Sequence, residues 1–64
     1  MKKLKLARLR ADMKQIDVCI EVRIDQCRMS LAENGKLRLK DEELKKLGKL
    51  YGYEFWELLG EEDI

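Results

Sequence analysis

The sequence predicts an all-α fold, with five short helices around one core. Pro is absent from the 64 residues and 42% of them are charged, a composition that suits helices. Apolar residues recur mostly at helical spacing, and Gly, Asn and Asp stand where helices would begin or end. A chain this short buries roughly 60% of the surface that its unfolded form exposes. We therefore expect a single domain over residues 1–64 with a small core.

The first two helices are predicted from helix-forming composition and spacing. The first runs from Lys3 to about Asp12 and is rich in Leu, Ala, Lys and Arg. The second runs from Gln15 to about Val22. Apolar residues in this second segment also alternate, from Ile16 onward, which is the pattern of a half-buried strand. Local periodicity alone leaves helix and strand open for this segment.

Capping residues mark the third helix. Asp25 is a good N-cap for a helix that ends at Glu33. Asn34-Gly35 suits the left-handed backbone that commonly follows the C-terminus of a helix. A short basic loop, residues 36–40, comes next.

Acidic residues and glycines bound the last two helices. Asp41-Glu42-Glu43 places carboxylates in the first turn of the fourth helix, where the helix dipole favours them, and Gly52 ends it. A short fifth helix is expected from about Glu54 to Leu59, and Gly60 stops it. The acidic tail at 60–64 is expected to be solvated.

Charge divides the chain into two unlike parts. Residues 1–40 carry a formal charge of +6 and residues 41–64 carry −5, although the whole chain carries only +1. A basic half can meet phosphates while an acidic half faces away from them. Charge alone leaves open that both halves are simply solvated helix faces.

Several classes of protein are not expected. The chain has two cysteines and no His, so a disulfide framework or a four-ligand zinc site is not indicated. No apolar run approaches the roughly 20 residues that span a bilayer, and no secretory signal is evident. The sequence shows neither a paired nucleophile and base nor a Gly-rich phosphate loop, so it does not suggest an enzyme. A cytoplasmic, helical protein without cofactor or metal is the expectation.

The spacing over residues 15–34 fits two helices that cross near a right angle. Counted from Gln15, such a pair needs a small fifth residue and buried residues at the fourth, eighth, tenth, fifteenth and eighteenth places. All six places are suitably filled, by Val18, Cys19, Val22, Ile24, Met29 and Ala32. A strand would instead bury Ile16 and Ile20 and would leave Met29 unexplained. The spacing therefore predicts a helix-turn-helix.

The chain resembles the Cro/C1-type (XRE-like) helix-turn-helix family of phage repressors and bacterial transcriptional regulators. The matching residues lie in the motif and in the C-terminal helices: Gln15, Glu33-Asn34-Gly35-Lys36, Leu44, Leu47, Tyr51-Gly52 and Phe55 to Leu59. The resemblance covers the chain from about Leu4 to Gly60. It implies a lambda-repressor-like DNA-binding domain in which the second and third helices contact DNA.

Two positions depart from the family pattern. The turn between the two motif helices is usually Gly because its backbone is left-handed, and here it is Arg23. A non-Gly residue costs on the order of 1 kcal/mol in that conformation. The usual Ser or Thr cap before the second helix is Lys14, which lacks an acceptor but adds a cation near the expected phosphates.

The resemblance implies that a recognition helix over residues 25–33 enters the major groove of double-stranded DNA. With Met29 facing inward and a step of about 100° per residue, Cys27 and Leu31 point outward. Gln can bond adenine, Arg can bond guanine and Leu can contact a thymine methyl group. The expected base contacts are Gln26, Cys27, Arg28, Ser30 and Leu31. The expected phosphate contacts are Lys14, Gln15, Asn34, Lys36 and Arg38.

Two further contacts are expected. In the family, an Arg on the first helix pairs with the Glu that ends the recognition helix, and the matching residues are Arg8 and Glu33. Tyr53 and Trp56 are either core caps or dimer contacts, and aromatic residues are enriched at interfaces. We expect a homodimer, at least on DNA, with these two aromatic residues at its interface.

The function expected is that of a sequence-specific transcriptional regulator, in particular a repressor from a phage or mobile element that binds a pseudo-palindromic operator as a dimer. No small-molecule ligand is indicated. An alternative stays open: a protein-interaction module, such as an antitoxin or anti-repressor, that uses the third-helix face for a protein partner. Steep loss of affinity with salt would distinguish DNA binding from this alternative.

Overall fold

The computed structural model describes residues 1–62, and it is all-helical, as predicted. Four α-helices span Lys3–Arg10 (α1), Gln15–Val22 (α2), Gln26–Glu33 (α3) and Asp41–Tyr51 (α4), and a 3₁₀ helix spans Phe55–Leu59. Over these 62 residues no strand forms, and an isolated antiparallel bridge joins Lys2 to Glu61. The last two residues of the predicted acidic tail, 63 and 64, lie outside the described residues. No helix within residues 1–62 has the length and apolarity needed to cross a membrane.

The core confirms the spacing argument for residues 15–34. All six predicted positions are buried, with exposed fractions of 6% or less. Ile16 and Ile20, which a strand would bury, are 45% and 71% exposed. Side chains from α1, from α4, from the loop before α4 and from the 3₁₀ helix complete the same cluster, among them Leu4, Leu39, Leu44, Leu47 and Leu58.

The turn between α2 and α3 has the predicted geometry. Arg23 adopts the left-handed conformation, with φ 59° and ψ 46°. The next amide, of Ile24, donates to the Cys19 carbonyl oxygen at 3.1 Å, which satisfies a carbonyl at the end of α2. Asp25 then caps α3, because its Oδ2 accepts from the amides of Cys27 and Arg28 at 3.0 and 3.3 Å. Lys14 precedes α2 without a side-chain capping bond.

Two helix ends differ from the predictions. The first helix ends at Arg10, because Asp12 turns left-handed at φ 55° and the Met13 amide reaches back to the Arg8 carbonyl at 3.2 Å. The predicted left-handed pair after α3 is also partly wrong. Asn34 has φ −93°, and Gly35 alone takes the positive φ, of 76°. Glycine adopts this backbone without the steric cost that a Cβ would add.

The fifth element is a 3₁₀ helix rather than the expected α-helix. Its five residues lie between the extended Glu54 and Gly60, too few for regular α-helical bonding beyond one turn. In the predicted solvated tail, the side chains of Glu61 and Glu62 are 66% and 40% exposed, and each also forms an ion pair. The Glu61 carboxylate lies 3.2 Å from Lys2 Nζ, just before α1, and the Glu62 carboxylate lies 2.9 Å from an Nη of Arg10, the last residue of α1.

Candidate nucleic-acid interface

The two sides of α3 have opposite environments. Met29, Ala32 and Glu33 are buried, at 0%, 6% and 4% exposure. Cys27 and Leu31 are exposed, as the helical geometry predicts. One side of this eight-residue helix is therefore fixed in the core, and the other side is open to solvent.

The open side of α3 forms a shallow concave surface with the start of α2. This surface has a volume of about 420 Å³ and is lined by Gln15, Gln26, Cys27, Ser30 and Leu31. We call these five residues the reading surface. It brings together four of the five residues predicted to contact bases, and it adds Gln15, predicted to contact phosphate. Amide, hydroxyl and apolar groups are thus presented together along the open side of α3.

Arg28 does not join the reading surface. Its two Nη atoms donate to both carboxylate oxygens of Glu43 on α4, at 2.6 and 3.0 Å. This forked pair occupies the guanidinium of Arg28, so its predicted base contact stays a prediction that would require the pair to open. The hydrogen bond from Arg28 lowers the pKa of Glu43, and the same bond raises the pKa of Arg28.

Sequence inspection did not find the role of Glu43. Glu43 was predicted only as one of the acids in the first turn of α4, where it also accepts a bond from the Lys40 amide at 2.9 Å. Its contact with Arg28 joins residues 15 positions apart and depends on the path of the loop between α3 and α4. No local pattern specifies that path, so the sequence offered no signal for the pair.

The predicted Arg8–Glu33 ion pair is present and buried. Arg8 Nε and Nη2 donate to the two carboxylate oxygens of Glu33 at 2.8 and 3.1 Å, and the side chains are 11% and 3% exposed. The hydrogen bond to Glu33 raises the pKa of Arg8. Arg8 Nη1 also donates to the Met13 carbonyl oxygen at 3.1 Å. This pair attaches the C-terminal end of α3 to α1.

Amide groups connect the buried pair to the reading surface. Gln15 Nε2 donates to Glu33 Oε1 at 3.1 Å, and Gln15 Oε1 accepts from Gln26 Nε2 at 3.4 Å. Gln15 therefore makes contacts within the protein, where only a phosphate contact was expected. Because Gln15 lies at the first position of α2, this chain of bonds fixes the start of α2 against both ends of α3.

The other predicted phosphate contacts differ in availability. Lys14 and Lys36 are exposed and form no ion pair with any residue in the part of the chain that the structure describes. Asn34 Nδ2 donates to the Ser30 carbonyl oxygen at 2.9 Å. Arg38 pairs with Asp41 at 3.0 Å, but both side chains are more than half exposed, so the pair can exchange at little cost.

The two aromatic residues predicted at a dimer interface have different surroundings. Tyr53 is half-buried and packs against the core. Trp56 is 59% exposed and meets the Phe55 ring edge-on, with centroids 5.3 Å apart. Two roles were left open for these residues, capping the core or contacting a second copy. Tyr53 caps the core, whereas Trp56 leaves most of a large apolar side chain in solvent.

Residues 1–62 contain no arrangement that suggests catalysis or metal binding. No group of three or more Cys, Asp or Glu side chains in that range is placed to hold a metal ion. Cys19 is buried, which raises the pKa of its thiol, and Cys27 is exposed on α3. Both thiols are free.

Comparison of the chain with protein-family models, with curated proteins and with solved structures gives no match. The resemblance to the Cro/C1-type family therefore remains a prediction from the motif residues. The geometry of α2, α3 and the residues beside them is what bears on function.

Proposed function

We propose that this protein is a sequence-specific double-stranded-DNA-binding transcriptional regulator with a lambda-repressor-like fold. In this proposal α3 lies in the major groove and the reading surface faces the base edges. The observation that carries the proposal is the reading surface itself. Four side chains of types that contact bases lie together on the open side of a helix whose other side is anchored in the core.

The chemistry of the reading surface suits the major groove. The Gln26 amide can bond the two groups that adenine presents there, and the Ser30 hydroxyl can donate or accept. Cys27 and Leu31 provide apolar contact for thymine methyl groups. Gln26 also lies within 3.4 Å of Gln15 Oε1, so the two amides stand side by side on this surface. Such a surface favours sites rich in A·T pairs under α3.

Cations beside α3 supply the part of the DNA affinity that does not depend on base sequence. Lys14 precedes α2 and Lys36 follows α3, and both are exposed. Their charges suit phosphates on either side of the groove, where contacts fix the register of a protein on DNA. Each phosphate contact releases counterions, so affinity falls steeply with salt.

A dimer forms part of the proposal. One copy presents a single short helix to the groove, and a second copy on a pseudo-palindromic site doubles the contacts. Trp56 is the strongest candidate for a C2 contact because it is large, apolar and 59% exposed, and Tyr53 lies three residues before it. Sedimentation of the protein with a short operator duplex should show two chains per duplex. Strict one-to-one stoichiometry would contradict the dimer.

The proposed function is tested by selecting bound sites from a random pool of DNA duplexes. Enrichment of one motif, with affinity that falls steeply as salt rises, is the expected result. The alternative of a protein-interaction module predicts no enrichment and weak, sequence-independent retention on DNA. A Lys49→Ala variant, altered at an exposed residue late in α4, should bind as the wild type does.

A further inference from the structure

We infer that Glu43 is a positioning residue that sets DNA specificity by holding Arg28 away from the bases. Arg28 is the one cationic residue of α3 and the residue of that helix best suited to guanine. This inference rests on the proposed function and concerns which bases the same surface accepts. It assigns a role in recognition to a residue on α4, outside the reading surface.

The contact between Arg28 and Glu43 uses the groups that a guanine contact needs. Both Nη atoms face the carboxylate, at 2.6 and 3.0 Å. A guanine presents its O6 and N7 acceptors to the same forked edge of the guanidinium. Arg28 therefore cannot bind Glu43 and guanine in the same forked geometry at one time.

Glu43 is held in place independently of Arg28. Its Oε1 accepts from the Lys40 amide at 2.9 Å, which closes the first turn of α4. The next residue, Leu44, is 1% exposed, so the backbone that carries Glu43 is anchored in the core. The carboxylate is thus already in position for Arg28 and does not need to be ordered when the pair forms.

The competition between the two acceptors favours Glu43. Hydrogen bonds to an ionised acceptor are stronger than bonds to a neutral one, and the acceptors of guanine are neutral. The Glu43 side chain is 17% exposed, so losing its partner would leave a mostly buried carboxylate without its cation. Arg28, at 39% exposure, stays close to the open side of α3 while it is held.

The consequence is a reading surface without a cation over the bases. In the wild type, base recognition falls to Gln26, Cys27, Ser30 and Leu31, none of which is charged. Removing the charge of Glu43 releases Arg28 toward the groove. A protein that favours A·T pairs under α3 should then gain a guanine preference at one base pair of each half-site.

The test compares motifs selected from a random duplex pool by the wild type and by Glu43→Gln, which keeps the size of the side chain and its carbonyl acceptor. We expect the variant to gain a guanine preference of roughly 10-fold at one position per half-site. Adding Arg28→Ala to the variant should abolish that gain. The matched control is Glu42→Gln, which removes the same charge from an exposed neighbour. It should raise affinity for all sites slightly and keep the wild-type motif.

Arg28→Ala in the wild-type background gives a second, independent test that does not require Glu43→Gln to fold. If Glu43 holds Arg28, this variant binds matched and single-mismatch sites with the wild-type ratio of affinities. Loss of a guanine preference in this variant would show that Arg28 leaves Glu43 on DNA, and would overturn the inference. An unchanged motif in folded Glu43→Gln would overturn it as well. A wild-type protein that enriches no motif would instead overturn the proposed function.

Discussion

Two arginine–glutamate pairs tie α3 to the rest of the molecule, and they differ mainly in depth. Arg8–Glu33 joins the end of α3 to α1 with side chains that are 11% and 3% exposed. Arg28–Glu43 joins the start of α3 to α4 with side chains that are 39% and 17% exposed. Both arginines donate from two nitrogens to two carboxylate oxygens. The same chemical pair therefore occurs once inside the fold and once at the edge of the reading surface.

Depth determines what each pair can do. When a buried pair loses one partner, the remaining charge is stranded away from water, so the pair is coupled to folding. The more exposed pair is screened more by solvent, so it contributes less to stability than the buried one. A single substitution in this pair can free the remaining side chain to bind another partner. The inner pair, Arg8–Glu33, is expected to control whether the chain folds. The outer pair, Arg28–Glu43, is expected to control which bases the reading surface accepts.

The largest expected effect is the loss of the inner pair. Glu33→Ala removes the acceptor for both Arg8 and Gln15, and leaves a mostly buried guanidinium. The free energy of unfolding should fall by about 3–5 kcal/mol, measured by urea denaturation. Glu21→Ala, at an exposed position of α2, is the control and should change stability by less than about 0.5 kcal/mol. A melting temperature within about 2 °C of wild type would contradict the structural role of the pair.

The second prediction extends the comparison from ion pairs to the two sides of α3. Met29 is fully buried and Leu31 is 39% exposed. Met29→Ala leaves a cavity and should cost about 2–5 kcal/mol. Leu31→Ala should cost no more than about 1 kcal/mol, but it should weaken binding to the selected DNA site. Equal destabilisation by the two variants would mean that α3 is not divided into an anchored and an open side.

Much of the buried side of the α2–α3 pair could be predicted from the sequence. Val18, Cys19 and Met29 were placed correctly because burial admits few residue types, so their spacing carries information. Arg23 was placed because the resemblance implies a left-handed residue in the turn between the two motif helices. Helix ends were less predictable. Asp12 ended α1 early through a backbone motif that its residue type does not demand.

The outer side was harder to predict because exposed positions accept many residues. Helical geometry placed Cys27 and Leu31 outward correctly. It could not show that Arg28 is occupied by Glu43, because that contact depends on how the loop after α3 returns the chain to α4. For the same reason the pairing of Glu61 and Glu62 with the start of the chain was missed. Contacts between separate elements carry no local signature.

The third prediction separates base recognition from phosphate contact on the outer side. Gln26→Ala should cost about 1–3 kcal/mol of binding and relax the preference at one base pair of each half-site. Lys36→Ala should weaken binding to all sequences alike and lower the salt slope by about one unit. Both variants are measured against matched and mismatched duplexes at two salt concentrations. If Gln26→Ala weakens all sites equally, α3 is docked differently from the proposal.

The fourth prediction concerns acid and the outer pair. The hydrogen bond from Arg28 lowers the pKa of Glu43 below its ordinary value of 4.5. The unfolded chain therefore takes up a proton at Glu43 before the folded chain does as the pH falls. The stabilisation is present above the ordinary pKa and is lost as the pH falls through the folded value. Urea denaturation between pH 7 and pH 3 should show a shallower loss for Glu43→Gln than for Glu42→Gln. Identical profiles would mean that the pair does not persist in solution.

The smallest effect is expected at Tyr51. It tests whether the buried hydrogen-bond network of Arg8, Glu33 and Gln15, the inner network, has a further member. The Tyr51 hydroxyl is buried and has no hydrogen-bond partner among the described residues. A buried polar group without a partner gains nothing from its polarity, so Tyr51→Phe should leave stability at pH 7 within about 1 kcal/mol of wild type, or raise it. Burial, followed by the nearby charge of Glu33, raises the pKa of Tyr51 above its ordinary value of 10.0.

That raised pKa gives the substitution a distinctive dependence on pH. Above pH 10 the unfolded chain loses the Tyr51 proton while the folded chain keeps it, so the stability of the wild type falls as the pH rises. Tyr51→Phe removes this contribution and should flatten the fall between pH 9 and pH 11, measured by urea denaturation. Tyr53→Phe, which alters a half-buried ring in the turn after α4, is the matched control. A marked loss of stability in Tyr51→Phe at pH 7 would show that the hydroxyl has a partner in solution. The inner network would then extend beyond Arg8, Glu33 and Gln15.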